Sequence, residues 1–120
     1  MIVGEFRDEH PRVTAKLTGN AASLDIAFIL DTGFAGDVKV SPSTAAMLDL
    51  QFICTQVRKL ADGQEITYAL YAGMIDWLDG PRDVEVLAMD GDDLIGTGLI
   101  RDMLLQVEGI EHGEVLIDPL

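Results

Sequence analysis

Apolar and polar positions alternate from Arg12 to Leu17. Val13, Ala15 and Leu17 fall on one face and Arg12, Thr14 and Lys16 on the other, the period of a half-buried strand. A short β-prone start, Met1-Ile2-Val3, precedes it across a turn at Asp8–Pro11, and Gly19-Asn20 turns the chain into a partner strand, Leu24–Leu30. Phe28, Ile29 and Leu30 break the alternation, and an unbroken apolar run of this kind reads as a buried strand. That run ends on Asp31, so its carboxylate is expected to sit against the core. Thr32 and Gly33 follow, short and flexible enough for the backbone to turn sharply there. Past a Gly33–Gly36 loop, Val38–Val40 predicts another short strand. Ser41-Pro42 then opens a helix, with Ser41 as N-cap and Pro42 at the first helical position. It should run to about Leu50 and bury Ala46, Met47 and Leu50.

The middle of the chain reads as strand. Phe52–Leu60 and Gln64–Trp77 are joined at Asp62-Gly63, a dipeptide that between β-rich runs signals a tight type I′ hairpin. This hairpin is long enough to project from the body. Gly80-Pro81 turns into Asp83–Met89, where Val84, Val86 and Ala88 alternate, and Asp90-Gly91-Asp92-Asp93 is an acidic turn, solvated on this reading. Leu94-Ile95-Gly96 is a second apolar run ending on glycine. Gly98–Leu104 predicts a short helix, and Leu105–Glu108 and Glu114–Ile117 predict two last strands around the Gly109–Gly113 turn. No linker or repeat divides the chain. Residues 1–120 therefore read as a single domain, mainly β and closed or barrel-like, with one or two short helices.

Composition narrows the function. Hydrophobic residues make up 48%, enough for a folded domain, and the net charge of −13 argues against nucleic acid or an anionic membrane as partner. Two such chains repel, so any self-association should strengthen with salt or falling pH. No apolar run approaches the ~20 residues that span a bilayer. The single cysteine, Cys54, excludes an internal disulfide, and the N-terminus turns charged at Glu5 without a signal-peptide core, so a cytoplasmic location is expected. His10 and His112 are isolated, and Asp90, Asp92 and Asp93 lack the spacing and distal glutamate of a calcium loop. Neither a metal nor another cofactor is expected. Cys54, Trp77, Tyr68 and Tyr71 read as packing residues of strands, with lining of a cleft as the alternative for the two tyrosines. A dehalogenase-type phosphotransferase would need an aspartate where Gly33 stands. No glycine loop opens a phosphate-binding helix, and neither histidine has a nucleophile-elbow context.

Asp31 remains. A carboxylate at a buried turn needs partners or a shared proton. Hydrolysis by carboxylates needs a pair, one to activate water and one to protonate the leaving group. Nothing else in the chain repeats Asp31-Thr32-Gly33, so a two-fold homodimer is the source of a second copy. Two carboxylates forced together cannot both ionise easily, and one keeps a proton, as in the aspartic-protease dyad.

Asp31-Thr32-Gly33 after an apolar run, a hairpin turning at Asp62-Gly63, and Leu94-Ile95-Gly96 before a short helix together resemble a retropepsin-type aspartic protease. The whole chain resembles the small bacterial single-lobed members of that clan (clan AA), including Met1-Ile2-Val3-Gly4, Asp31-Thr32-Gly33-Phe34 and Gly113-Glu114-Val115. The resemblance implies a retropepsin-like, homodimeric aspartic endopeptidase acting on a peptide or protein substrate. Asp31 would be catalytic, Thr32 would bond across the dimer axis, and Gly33 would meet the substrate backbone. Ala61, Asp62 and Gly63 would form the tip of a flap over the peptide, with Phe34 and Ala35 also against the substrate. Ile95 and Gly96 would pack beneath the active-site loop, and Met1–Phe6 and Val115–Leu120 would interleave in the dimer. The chain departs from the family pattern at Phe34, usually a small residue, and at Ala35-Gly36, which replace an acidic pair and leave Asp37 displaced. Thr97-Gly98 stand where an arginine and an asparagine or aspartate are usual, with Arg101-Asp102 a helical turn later. A second reading stays open: a catalytically silent dimeric domain of the same fold that binds a peptide or protein.

Overall fold

The alternation at Val13, Ala15 and Leu17 becomes strand β2 (His10–Thr18), whose inner face is buried at all three positions. The computed structural model describes residues 1–120. The other strands are β1 (Ile2–Arg7), β3 (Ser23–Leu30), β4 (Val38–Val40), β5 (Gln51–Lys59), β6 (Glu65–Trp77), β7 (Gly80–Ala88), β8 (Leu94–Ile95), β9 (Met103–Val107) and β10 (Glu114–Pro119). Two short helices, α1 (Pro42–Leu48) and α2 (Thr97–Ile100), interrupt them. The class is mainly β.

All ten strands form one sheet in the order β5-β6-β7-β4-β8-β3-β2-β1-β10-β9. Leu17 and Thr18 of β2 also pair with Ile75 and Met74 of β6, so β6, β7, β4, β8, β3 and β2 form a closed ring. Phe28, Leu17, Val38, Val40, Ile75, Val86 and Ile95 fill the core and are almost free of solvent contact. Ile29 and Leu30 are buried as well, as the apolar run predicts. β8 lies between β3 and β4, parallel to β3 and antiparallel to β4, and this insertion brings two distant loops together at one end of the sheet.

Several boundaries differ from the sequence expectation. Helix α1 begins as predicted, with Ser41 Oγ accepting from Thr44 N–H and Pro42 in the first turn. It stops at Leu48 because Asp49 adopts a left-handed conformation (φ 53°). Its buried face is therefore Ala45 and Leu48, with Ala46 and Met47 in solvent and Leu50 buried beyond the helix end. The Asp8–Pro11 turn contracts to Asp8-Glu9, both at positive φ, and His10 and Pro11 already belong to β2. At the β5–β6 turn only Gly63 has positive φ (85°). Leu60 N–H donates to Gln64 O and Gly63 N–H to Leu60 O, which gives a three-residue turn with a glycine bulge instead of type I′. The helix expected over Gly98–Leu104 is only α2, because Arg101 is extended and Asp102 left-handed (φ 62°), which turns the chain into β9.

The terminal strands also differ from expectation. β1 pairs with β10 (Ile2 opposite Ile117) and β10 pairs with β9 (Ile117 opposite Leu105), all within the chain. Both edges of β10 are thus occupied without a partner. No helix is long and apolar enough to cross a membrane.

Candidate active site

Asp31 is the first residue past β3. Its N–H donates to Ile95 O (2.9 Å), continuing the parallel β3–β8 pairing by one step, and Phe34 N–H donates to Asp31 O (3.2 Å) to close the turn. Side-chain Oδ1 accepts from Gly33 N–H at 2.8 Å, which fixes the carboxylate over its own loop. Thr32 and Gly33 are exposed. Asp31 is half-buried, so in the single chain its charge keeps access to water that the sequence reading had denied it. Asp31 joins no ion pair.

The loop that carries Asp31 is clamped from beneath. Gly96 N–H donates to Asp37 O (2.9 Å), Thr97 N–H to Phe34 O (2.8 Å) and Gly98 N–H to Gly36 O (3.1 Å). The first N–H groups of a helix have no partners in the helix itself, and here three carbonyls of the Asp31 loop supply them. So close an approach leaves no room for a side chain: a Cβ on Gly96 would collide with the carbonyl oxygens of Phe34 and Gly36. Ile95 is fully buried under the loop. Asp37 ties the far end down, its Oδ2 accepting from Glu85 N–H of β7 at 3.0 Å.

β8 is delivered by the acidic turn, which is more than a solvated corner. Lys39 of β4 is buried to 7% exposure and its Nζ donates to Asp92 O at 2.6 Å. Asp93 O accepts from Ile29 N–H, which joins the turn to β3. Burial pushes the Asp93 carboxyl up from the ordinary aspartate value, and the nearby Lys39 charge only partly opposes that.

Two hollows flank the Asp31 loop. One, of about 150 Å³, lies between the loop and the β5–β6 hairpin; Phe34, Asp37, Gln56, Arg58, Tyr68 and Glu85 line it. Tyr68 Oη donates to Gln56 Oε1 (3.0 Å), and the Arg58 guanidinium lies 6.0 Å from the centre of the Tyr68 ring. The other hollow, of about 320 Å³, is bounded by Thr32, Thr97, Ile100, Arg101 and Leu105. Asp31 stands at the root of the loop that separates them.

The structure thus brings Asp31, Thr32, Gly33, Phe34, Ile95 and Gly96 into one cluster. Ala35 is exposed on the loop, while Ala61, Asp62 and Gly63 lie exposed at the hairpin tip and line neither hollow. Gln56, Arg58, Asp37 and Glu85 escaped the sequence reading, and Tyr68 entered it chiefly as a packing residue. Their signal was present: Gln56 and Arg58 are two apart on one strand face, and Gln56 sits opposite Tyr68 in the hairpin.

Chemically, one chain supplies one accessible carboxylate on a rigid loop beside a groove. Asp37, at the far end of the same loop, is engaged with Glu85 N–H.

No family model and no curated protein matches this sequence. Among solved structures, the chain is similar to a retropepsin-like aspartic protease from Rickettsia conorii, with 14% identity, a TM-score of 0.57, and coverage of 97% of this chain and 89% of that one. The fold is retropepsin-like.

Proposed function

We propose that this chain is an aspartic endopeptidase of the small bacterial single-lobed, retropepsin-like type, hydrolysing peptide bonds of a peptide or protein in the cytoplasm. Its active form is a homodimer in which Asp31 and the same residue of a second copy share one proton. The charged carboxylate takes a proton from water as the oxygen attacks the peptide carbonyl. The neutral one polarises that carbonyl and then protonates the departing amine. Thr32 holds the two loops together across the axis, and Gly33 presents its main chain to the substrate. The β5–β6 hairpin closes over the peptide as a flap and excludes water. No cofactor enters these steps.

The observation that carries the reading is the Asp31 carboxylate itself: oriented by Gly33 N–H, carried on a loop clamped by Gly96–Gly98, half-exposed, and without any pairing charge in its own chain.

Cleavage of a diverse mixture of denatured peptides, from acid to neutral pH and read by mass spectrometry, tests it. The native protein should cut, and Asp31→Asn should lose activity by about 10³-fold or more with unchanged thermal unfolding. Equal cutting by both proteins would exclude Asp31 as the catalytic group.

A further inference from the structure

The hollow between the Asp31 loop and the β5–β6 hairpin has unlike walls. Gln56 and Arg58 of β5 line it from the hairpin, Glu85 of β7 lines it from the body, and Leu70 and Leu87 add apolar surface. Register sets these residues on one face of the sheet. Gln56 lies opposite Tyr68 and Leu70 opposite Leu87, and Tyr68 to Leu70 and Glu85 to Leu87 are each steps of two along a strand. Much of the polar capacity of both walls is unspent. Gln56 Oε1 accepts from Tyr68 Oη, which leaves the amide N–H donors of Gln56 free. Arg58 lies over the Tyr68 ring and joins no ion pair. Glu85 N–H donates to Asp37 Oδ2, while the Glu85 carboxylate has no cation beside it. Donors on the hairpin thus face an acceptor on the body across a space of about 150 Å³.

We infer that this hollow selects a glutamine side chain of the substrate, with Arg58 and Glu85 as the specificity-determining pair. The inference rests on the proposed function, whose substrate it narrows. Phe34 lines the hollow and its N–H donates to Asp31 O, so a peptide laid across Asp31 sets a side chain here close to the scissile bond. A substrate carboxylate would meet Arg58 but also Glu85 and Asp37, like charge against like. A lysine would meet Glu85 but also Arg58. An apolar side chain would leave donors and acceptor unpaired once the hairpin excludes water. A carboxamide satisfies both walls: its carbonyl accepts from Arg58 and Gln56, and its NH₂ donates to Glu85. It also adds no charge to a chain that carries −13. Glutamine has one methylene more than asparagine to lay against Leu70 and Leu87.

The test offers the full chain a random-sequence peptide library and reads it in two ways: cut sites of the native protein by mass spectrometry, and peptides retained on immobilised Asp31→Asn protein. Glutamine should be enriched about tenfold over glutamate, lysine and methionine at one position beside the cut, and in the retained peptides. Two substitutions at exposed positions should move that preference in opposite directions while thermal unfolding stays unchanged. Arg58→Met leaves Glu85 alone and should shift the position toward lysine. Glu85→Gln leaves Arg58 alone and should shift it toward glutamate. A merely structural role for either residue would not produce shifts of opposite sign at a single position. No glutamine enrichment, or a preference that neither substitution moves, would overturn the inference. Failure of the peptidase reading looks different. Retained peptides that show the preference and both shifts, with no cuts by the native protein, keep the hollow's selectivity and remove the activity. Asp31-dependent cuts without a glutamine preference keep the activity and remove the selectivity.

Discussion

The Asp31 loop and the β5–β6 hairpin face each other across the same groove, yet they are built in opposite ways. The loop is held by parallel pairing to β8 and by three hydrogen bonds from the start of α2, over a floor of Leu30, Val38 and Ile95. The hairpin is exposed along nearly all of β5, carries Phe52, Ile53, Val57 and Leu60 into solvent, and turns at a glycine with open space around it. Segments with few buried contacts open at low free-energy cost, whereas those wired into the core open only with it. The carboxylate sits on the constrained side, and the exposed hairpin on the side that opens at lower cost. The proposed acid–base chemistry requires placement to within a fraction of an ångström and the proposed substrate requires a gap to enter, and on that proposal the two demands fall on two different elements.

The sharpest way to break this comparison is a matched pair of methyl groups. Gly96→Ala drives a Cβ into the Phe34 and Gly36 carbonyls, where no flexible side chain can give way. We expect a loss of about 3 kcal/mol or more, since backbone must shift and the clamp must open. Gly63→Ala, at φ 85° but with nothing within 4 Å, should cost only about 1 kcal/mol of left-handed strain. Chemical denaturation of the two variants measures both. Equal losses would mean that the loop is no more constrained than the hairpin tip.

A smaller effect tests what holds the clamp in register. Lys39 is buried against the acidic turn that leads into β8. Lys39→Met keeps the aliphatic stem but leaves Asp92 O without its donor and Asp93 without its counter-charge. The expected cost is about 1–3 kcal/mol. Hydrogen exchange should locate it, with Ile29 and Asp31, which donate to Asp93 O and Ile95 O, losing protection before the hairpin does. Uniform loss over the whole chain would assign Lys39 to general stability.

Much of this arrangement was legible beforehand because it is written in local pattern. The Val13–Leu17 alternation, the Phe28–Leu30 run into Asp31, and the Ser41-Pro42 helix start all use short-range rules and all appear in the fold. What escaped the reading depends on contacts distant in sequence. Nothing in Met1–Phe6 says that β10 of the same chain, rather than a partner's, will lie beside it, since a strand's pattern specifies its faces and not its neighbour. Lys39 reads as the polar member of Val38-Lys39-Val40 until the acidic turn closes over it. Met103-Leu104-Leu105 suits a helix as well as a strand, and Asp102 at φ 62° decides between them. Arg58 and Glu85 share a groove with Phe34 because β4, which follows the Asp31 loop, pairs with β7, a neighbour far along the chain.

The smallest expected effect concerns Asp93, and its value lies in its sign. Burial holds this carboxyl above the ordinary 3.8, so the folded chain binds its proton more tightly than the unfolded chain does. The stabilisation from that proton is fully present below 3.8 and is lost as pH rises through the window above it. Asp93→Asn removes the charge and keeps a carbonyl oxygen of the same shape in its place. The variant should therefore gain on the native protein as pH climbs from acid toward neutral. The gain should level off near about 0.5 kcal/mol, because the side chain is partly solvated and screening discounts the effect. Thermal unfolding of both proteins from pH 3 to 7 reads the difference directly. A native protein that gains on the variant over that range would show that the attraction between Asp93 and Lys39 exceeds the burial cost. The turn beneath the Asp31 loop would then be held by an ion pair, and not by the Lys39 hydrogen bond to Asp92 with a poorly solvated carboxylate beside it.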